Sequence, residues 1–318
     1  MIGAGEPRRF ERVALIGIGL INGSLALNLR ATGIGGEIVA CARTEATLDK
    51  AKALGLADRT TTSPLDAVAG CDLVVIGTPP GAAGPVAAAM APGLVPGAIV
   101  SDVSSLKAEV IRAVVPHLPE PERFVGAHPV AGTEHSGPEA AFLALFRNRH
   151  CILTPIEDTD PGAVRAVAGI WRAAGCTIET MTPEHHDRVL AITSHLPHLI
   201  AYTIVGTVAD LEDHLKTEVL RYAAGGFTDF TRIAASDPVM WRDVFLHNRE
   251  AVLEMLGRFT EDLAALQRAI RWGEGDKLFD LFTRTRAIRR GVIAAGQAYD
   301  RQVLRQGSSD EPDQRRGP

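Results

Sequence analysis

A histidine followed by a proline closes a short apolar run, Phe124-Val125-Gly126-Ala127-His128-Pro129. Imidazole is the side chain best suited to move a proton near neutral pH. Pro129 has no N–H and biases His128 away from helical backbone, so the histidine is expected at the end of a strand. Loops beyond strand ends in α/β proteins are where ligands meet side chains. The plainer reading is a histidine that only hydrogen-bonds a turn. Ser104 and Ser105 follow another apolar run, Ala98 to Val103. A serine beside the histidine would orient it and fix its tautomer, whereas the other role for either serine is a helix N-cap. Arg232, in Gly225-Gly226-Phe227-Thr228-Asp229-Phe230-Thr231-Arg232-Ile233-Ala234, has the fork that clamps a carboxylate. Its alternative is a salt bridge with Asp229 or Asp237. The paired glycines mark a backbone that must bend or approach something closely. His195 and His198, three apart, share a helix face, with His185, His186 and Asp187 nearby. No thiolate or HExxH pattern completes a metal site, and no metal is expected.

A second constellation is made of glycines. Arg12-Val13-Ala14-Leu15-Ile16 reads as a buried strand and runs into Gly17-Ile18-Gly19-Leu20-Ile21-Asn22-Gly23-Ser24-Leu25-Ala26. Gly17 permits a tight turn and Gly19 lets the backbone approach a pyrophosphate. The helical amides that open with Leu20 and Ile21 then meet its negative charge. Asn22 stands where the usual fingerprint has its third glycine. The next strand, Glu37 to Cys41, ends at Ala42-Arg43-Thr44 without the acid that holds ribose hydroxyls. Arg43 and Thr44 are therefore assigned to a 2′-phosphate, which leans the cofactor from NAD toward NADP; the alternative is a solvated loop charge.

The elements that must carry these residues alternate strand and helix. Asp72 to Pro80 is a strand broken by prolines, Ala98 to Val103 another, and Val125 to His128 and Cys151 to Thr154 follow. A helix from about Pro161 to Ala174 and a strand Thr177 to Thr180 close the series. Alternation of this kind predicts a doubly wound parallel sheet, gathering Gly17, Gly19, Thr78, Ser104, Ser105 and His128 at one edge. From Pro183 the chain is helical, with Pro197 expected to kink one long segment. Val252, Leu256, Phe259, Leu263, Leu266 and Ile270 recur at steps of four and three, a seam for another helix or a second subunit. The expected organisation is a flexible N-terminus at 1–11, a dinucleotide-binding α/β domain at 12–181, an all-α domain at 182–305 and a disordered tail at 306–318.

The 318 residues carry a net charge of −5, and the basic residues are scattered, so no nucleic-acid footprint is expected. Four cysteines without a CxxC motif read as small buried hydrophobes of a reducing compartment. No signal-peptide core and no apolar run of membrane-span length is read, which gives a cytoplasmic protein without a membrane partner.

Taken in order, these stretches, with Asp102-Val103-Ser104-Ser105-Leu106-Lys107, Gly126 to Glu134, Ser194-His195-Leu196-Pro197-His198 and Ser236-Asp237-Pro238-Val239-Met240-Trp241, resemble the prephenate dehydrogenase family. That family also includes cyclohexadienyl and arogenate dehydrogenases of tyrosine biosynthesis. The resemblance spans about residues 12 to 295. It implies a Rossmann-type domain followed by a helical dimerisation domain. It implies oxidative decarboxylation of prephenate or arogenate, with hydride passing to NAD or NADP. By resemblance His128 is the catalytic histidine and Ser105 the serine that orients it. Arg232 binds substrate carboxylate and His198 lies in the substrate pocket. Glu134 and Asp187 are acids tied to pocket access, and Trp241 lies near the substrate side chain. Gly17, Gly19, Leu20, Ile21, Arg43, Thr44 and Thr78 fall to the cofactor, and a homodimer through the helical domain is implied. No regulatory or mutase module is expected beside these domains. The rivals are other two-domain dehydrogenases, of β-hydroxyacid or imine reductase type, and a non-catalytic nucleotide sensor. The dehydrogenase rivals use a lysine on the first long helix of the second domain, and no lysine occurs there before Lys216.

Overall fold

The computed structural model describes residues 8–211, 218, 221 and 225–294. The expected tail at 306–318, Lys216 and most of the expected flexible N-terminus lie outside these residues. Eight strands form one sheet in the order β3-β2-β1-β4-β5-β6-β7-β8. They are β1 (Phe10–Ile16), β2 (Gly35–Cys41), β3 (Arg59–Thr61), β4 (Leu73–Ile76), β5 (Ile99–Asp102), β6 (Phe124–Pro129), β7 (His150–Thr154) and β8 (Thr177–Thr180). β4, β5 and β6 are buried along their whole length, because helices cover both faces and every side chain of a parallel strand must then be apolar or bonded. Two apolar clusters, one on each face, form the core.

The sheet is parallel except for one pairing. β7 runs antiparallel to β6, with His128 opposite Ile152. Between these strands the chain forms only a short 3₁₀ turn at Pro138–Ala140, with no helix to carry a parallel crossover. β3 was not expected; its three residues, Arg-Thr-Thr, carry no apolar run. β1 begins at Phe10, earlier than the expected Arg12, and Phe10 is buried. The strand order reverses direction between β1 and β4, so the crevice beyond their C-terminal ends is the place for a ligand.

The helices on the sheet are α1 (Leu20–Thr32), α2 (Glu45–Ala53), α3 (Pro64–Val68), α4 (Ala83–Met90), α5 (Ala108–Val114) and α6 (Pro161–Ala173). α7 (Pro183–Leu190) starts on a Thr182 cap whose hydroxyl accepts the His185 amide, with Pro183 in the first turn. It continues through a π-helical turn, Ala191–His195, into α8 (Leu196–Ala209). The disturbance expected from Pro197 takes this form: its missing N–H removes a bond to the preceding turn, and the helix widens there. Then follow α9 (Gly225–Thr231), α10 (Pro238–His247), α11 (Arg249–Trp272) and α12 (Gly275–Ala294). Gly225 and Gly226 do not serve a close approach. They sit in the first turn of α9, and a Cβ on either would meet nothing within 4 Å.

Contrary to the expectation that no apolar run reaches such length, the continuous helix Pro183–Ala209 is 27 residues long and contains an 18-residue stretch of mean hydropathy 1.4, enough by length and composition to cross a membrane. Its buried His186, Asp187 and His195 are engaged in the polar network described below, which makes it a site helix. The chain divides into two compact units at Val252/Leu253. The first holds the sheet and the helices through α10. In the second, Leu263, Ile270, Phe279, Phe282 and Ile288 are exposed. The seam read on α11 is thus buried at Val252 and open at Leu263 and Ile270.

Candidate active site

The site is assembled at the C-terminal ends of β1, β4, β5 and β6 and on the helices that follow Thr182. Gly17, at φ +87°, makes the turn after β1. A Cβ there would lie 2.7 Å from the Gly77 carbonyl oxygen, so the first fingerprint glycine is required by both conformation and space. Above Gly19 the space is open, and no side chain caps α1. The first-turn amides of Leu20 and Ile21 are therefore left for an anion. The Thr78 hydroxyl, beyond β4, is buried without a partner among the described residues. These features fit a bound dinucleotide. Asn22 does not weaken the turn. Its amide nitrogen donates to the carbonyls of Gly17 at 3.0 Å and Val75 at 3.2 Å, tying the ends of β1 and β4 together. The close-packing position is Gly23, where a Cβ would lie 2.8 Å from Ala141 Cβ. Arg43 is exposed after β2, and the Thr44 hydroxyl caps α2 by accepting the Thr47 amide.

His128 is buried at the end of β6. Its partner is not Ser105. His128 Nδ1 lies 2.8 Å from His186 Nε2, and His186 Nδ1 lies 2.8 Å from Asp187 Oδ1. Asp187 also accepts the backbone amides of Lys107 (2.8 Å) and Ala108 (2.9 Å) at the start of α5. Asp187, which the resemblance ties to pocket access, is buried, and its oxygens are occupied by an imidazole and a helix start. Of the two serines, Ser104 has the turn role, its hydroxyl accepting the Leu106 amide. Ser105 is half-buried, and its hydroxyl makes no hydrogen bond to a described residue.

Below His128 lies a buried ion pair. Lys107 Nζ donates to Asp102 and to the Ala127 carbonyl at 2.7 Å, and Asp102 accepts the amides of Ser104 and Ala127. Burial pushes the Asp102 carboxyl up and the Lys107 ammonium down, each offset in part by the other. Burial also holds His128 well below the ordinary imidazole range, and positive charge on His186 when protonated, on Lys107 and on His195 when protonated pushes the same way. His128 is accordingly neutral at neutral pH, the state a base requires.

The helical side carries His195, His198 and Trp241. The His198 ring stacks on Trp241 at 3.6 Å between centroids, and His195 meets the same indole edge-on at 6.1 Å. Burial lowers both histidines to about 4. Asn248 bridges His195 Nδ1 at 3.1 Å and the Asp187 carbonyl at 2.9 Å. Two donors stay open: His195 Nε2 and Trp241 Nε1 are buried without partners among the described residues. Arg232 opens the 3₁₀ turn Arg232–Ala235 that follows α9. Its guanidinium bonds Glu134, in the loop after β6, and holds that carboxyl below its usual range against the opposing effect of burial. Among the described residues no three His, Cys, Asp or Glu side chains are grouped to hold a metal ion.

Sequence reasoning missed His186, Lys107, Asp102 and Asn248. The available signal was Asp102 itself, a carboxylate closing the apolar strand Ile99-Val100-Ser101, which a buried strand tolerates only with a partner.

This geometry agrees with known proteins. The sequence model described as prephenate dehydrogenase, nucleotide-binding domain, matches residues 25–180, and that of the dimerization domain matches residues 182–284. The chain belongs to the prephenate dehydrogenase family. It is 42% identical to the cyclohexadienyl dehydrogenase of Zymomonas mobilis over 88% of this chain and 95% of the relative. It is 33% identical to the prephenate dehydrogenase of Bacillus subtilis over 89% and 76% of the two chains. Among solved structures, prephenate dehydrogenase from A. aeolicus, in complex with hydroxyphenyl propionate and NAD+, superposes with a TM-score of 0.82 at 34% identity, covering 89% of this chain and 98% of that one. Synechocystis arogenate dehydrogenase gives 0.72 at 28% identity, covering 88% and 99%. As a member of the family, this enzyme oxidises prephenate or arogenate with reduction of NAD(P).

Proposed function

We propose that His128 is the base and Arg232 the carboxylate clamp of this oxidation. The observation that carries the reading is His128 itself: buried, held by burial below the ordinary imidazole range, and fixed at the C-terminal end of β6, on the sheet edge that also carries the dinucleotide turn. Its free ring nitrogen takes the proton of the substrate's ring hydroxyl. As that proton leaves, the C4–H pair departs as hydride, C1 loses CO₂ and the ring becomes aromatic. Bound nicotinamide supplies the hydride acceptor. Aromatisation makes the step downhill, so the protein's share is orientation and a base worth ~10²–10⁴-fold. Ser105 donates to the same hydroxyl. Arg232 exchanges Glu134 for the substrate carboxylate, and His198 with Trp241 forms the wall at the side-chain end. Gly17, Gly19, Leu20, Ile21 and Thr78 hold the pyrophosphate and the nicotinamide side. Arg43 and Thr44 stand where a 2′-phosphate would lie, which supports acceptance of NADP beside NAD.

The test is nicotinamide reduction with prephenate and arogenate, each with NAD and NADP, in wild type and His128→Asn. The variant should bind substrate and lose at least ~10²-fold in kcat; wild-type-like turnover would remove the base. A homodimer through α11 and α12 is part of this reading, supported by their exposed Leu263, Ile270, Phe279 and Phe282. Light scattering should then give twice the chain mass of 33.8 kDa, and a monomer at working concentration would sink it. The four buried, unbridged thiols accord with a cytoplasmic location.

A further inference from the structure

We infer that His186, anchored by Asp187, is a positioning residue that sets the tautomer of His128 and stabilises its protonated form. The inference deepens the reading of His128 as base and rests on it. It follows from hydrogen-bond directions alone. The Asp187 carboxylate accepts the amides of Lys107 and Ala108, one on each oxygen. These donors fix its plane, and an ionised carboxylate has nothing to donate. At 2.8 Å from Asp187 Oδ1, His186 Nδ1 must therefore carry a hydrogen. In a neutral ring this leaves His186 Nε2 as a bare acceptor. That atom lies 2.8 Å from His128 Nδ1, so the hydrogen between the rings belongs to His128. His128 Nε2 then keeps its lone pair, the one required to take a proton.

Three further observations support the assignment. His186 has 0% exposure, so no solvent competes for its nitrogens. The two rings meet edge to face, 5.0 Å between centroids at 72°, with nitrogen directed at nitrogen. Ser105, the expected orienter, makes no bond to the ring. The proton count closes simply. His128 Nε2 gains the substrate hydroxyl proton and Nδ1 keeps its own, now shared with an acceptor linked to a carboxylate. No electron is transferred in this step. The arrangement follows the logic of a carboxylate that holds a catalytic imidazole in its working tautomer, with a second imidazole inserted between them. The groups facing His128 are His186 from α7, Lys107 from the β5–α5 connection and His195 from the π turn. Those facing His186 are Asp187, Lys107 and Asp102.

The test uses His186→Leu and His186→Gln in the full-length enzyme, with kcat and KM followed across pH and folding checked by thermal melting. The leucine variant removes the acceptor. We expect kcat to fall ~10²–10³-fold with KM within ~3-fold, and the acid limb of kcat/KM to move to lower pH, because imidazolium loses a partner. The glutamine amide places an oxygen near the position of Nε2 and should recover at least ~10-fold of the loss. A folded His186→Leu with kcat within ~3-fold of wild type overturns the proposal, as do equal losses in both variants with an unmoved acid limb. If the leucine variant does not fold, long-range ¹H–¹⁵N spectra of histidine-labelled wild type decide. The signal lost in His128→Asn should be that of an Nδ1–H tautomer, and an Nε2–H tautomer overturns the proposal. Should His128→Asn itself remain active, the base reading fails instead, and the two failures are distinct.

Discussion

Two polar clusters flank His128, and they are built in opposite ways. On the strand side, Asp102, Lys107, His186 and Asp187 are buried and bonded to one another or to backbone. On the helical side, His195 and Trp241 are equally buried, yet each keeps an open N–H. An unmet buried donor costs about 1–3 kcal/mol, so a folded chain retains one only where it is compensated or useful. The strand side is therefore a mould that fixes geometry, and the helical side a face that awaits a polar atom. Stability and binding should separate along the same line.

The comparison can be broken most sharply at Lys107. Lys107→Met leaves Asp102 as an unpaired buried carboxylate and should remove roughly 3–5 kcal/mol of folding stability, measured by denaturant titration. A loss under 1 kcal/mol would show the cluster to be better solvated than its burial implies. Next comes Arg232→Gln, at the half-open entrance. It should raise substrate KM about 10–100-fold while kcat and melting temperature hold, since the arginine contributes to binding and not to the fold. A fall in kcat at constant KM would move the arginine into the chemistry. The smallest effect is expected from Trp241→Phe, which keeps an aromatic face against His198 but deletes the open donor. Its melting temperature should match or exceed wild type, with KM several-fold higher. A clear drop in melting temperature with unchanged KM would mean that the indole N–H serves the fold.

What the sequence revealed and what it hid follow the range of each interaction. Gly17 and Gly19 could be read because turn, helix start and strand lie within a few residues of one another, whereas Asn22 was read only as a departure from the fingerprint, its bond to the Val75 carbonyl being a contact with a distant strand. His128 could be read because Pro129 announces its backbone. Its true partner could not, since His186 lies 58 positions away and looked like one of several histidines in a polar helix start. Asp187 was tied to pocket access by the family resemblance alone, and only the packing of α7 against the start of α5 shows it bonded to amides. Lys107 and Asp102 stood in a motif without a role, because their pairing is a matter of burial that spacing does not reveal. The reversed strand β7 was hidden because direction depends on what the connection does, and residues 130–149 carry apolar side chains without forming a crossover helix.

The π turn at Ala191–His195 has a consequence for how this helix can vary. A π turn is one residue more than α geometry holds. The widened turn absorbs that residue, so deleting one residue there would restore regular winding and leave what lies beyond it facing nearly as before. Asp187 and His186, before the turn, and His198, stacked on Trp241 after it, would therefore keep their partners. The chain therefore carries a natural hyphen between its proton-handling half and its ligand-facing half: one residue can be lost at that single point without re-aiming either.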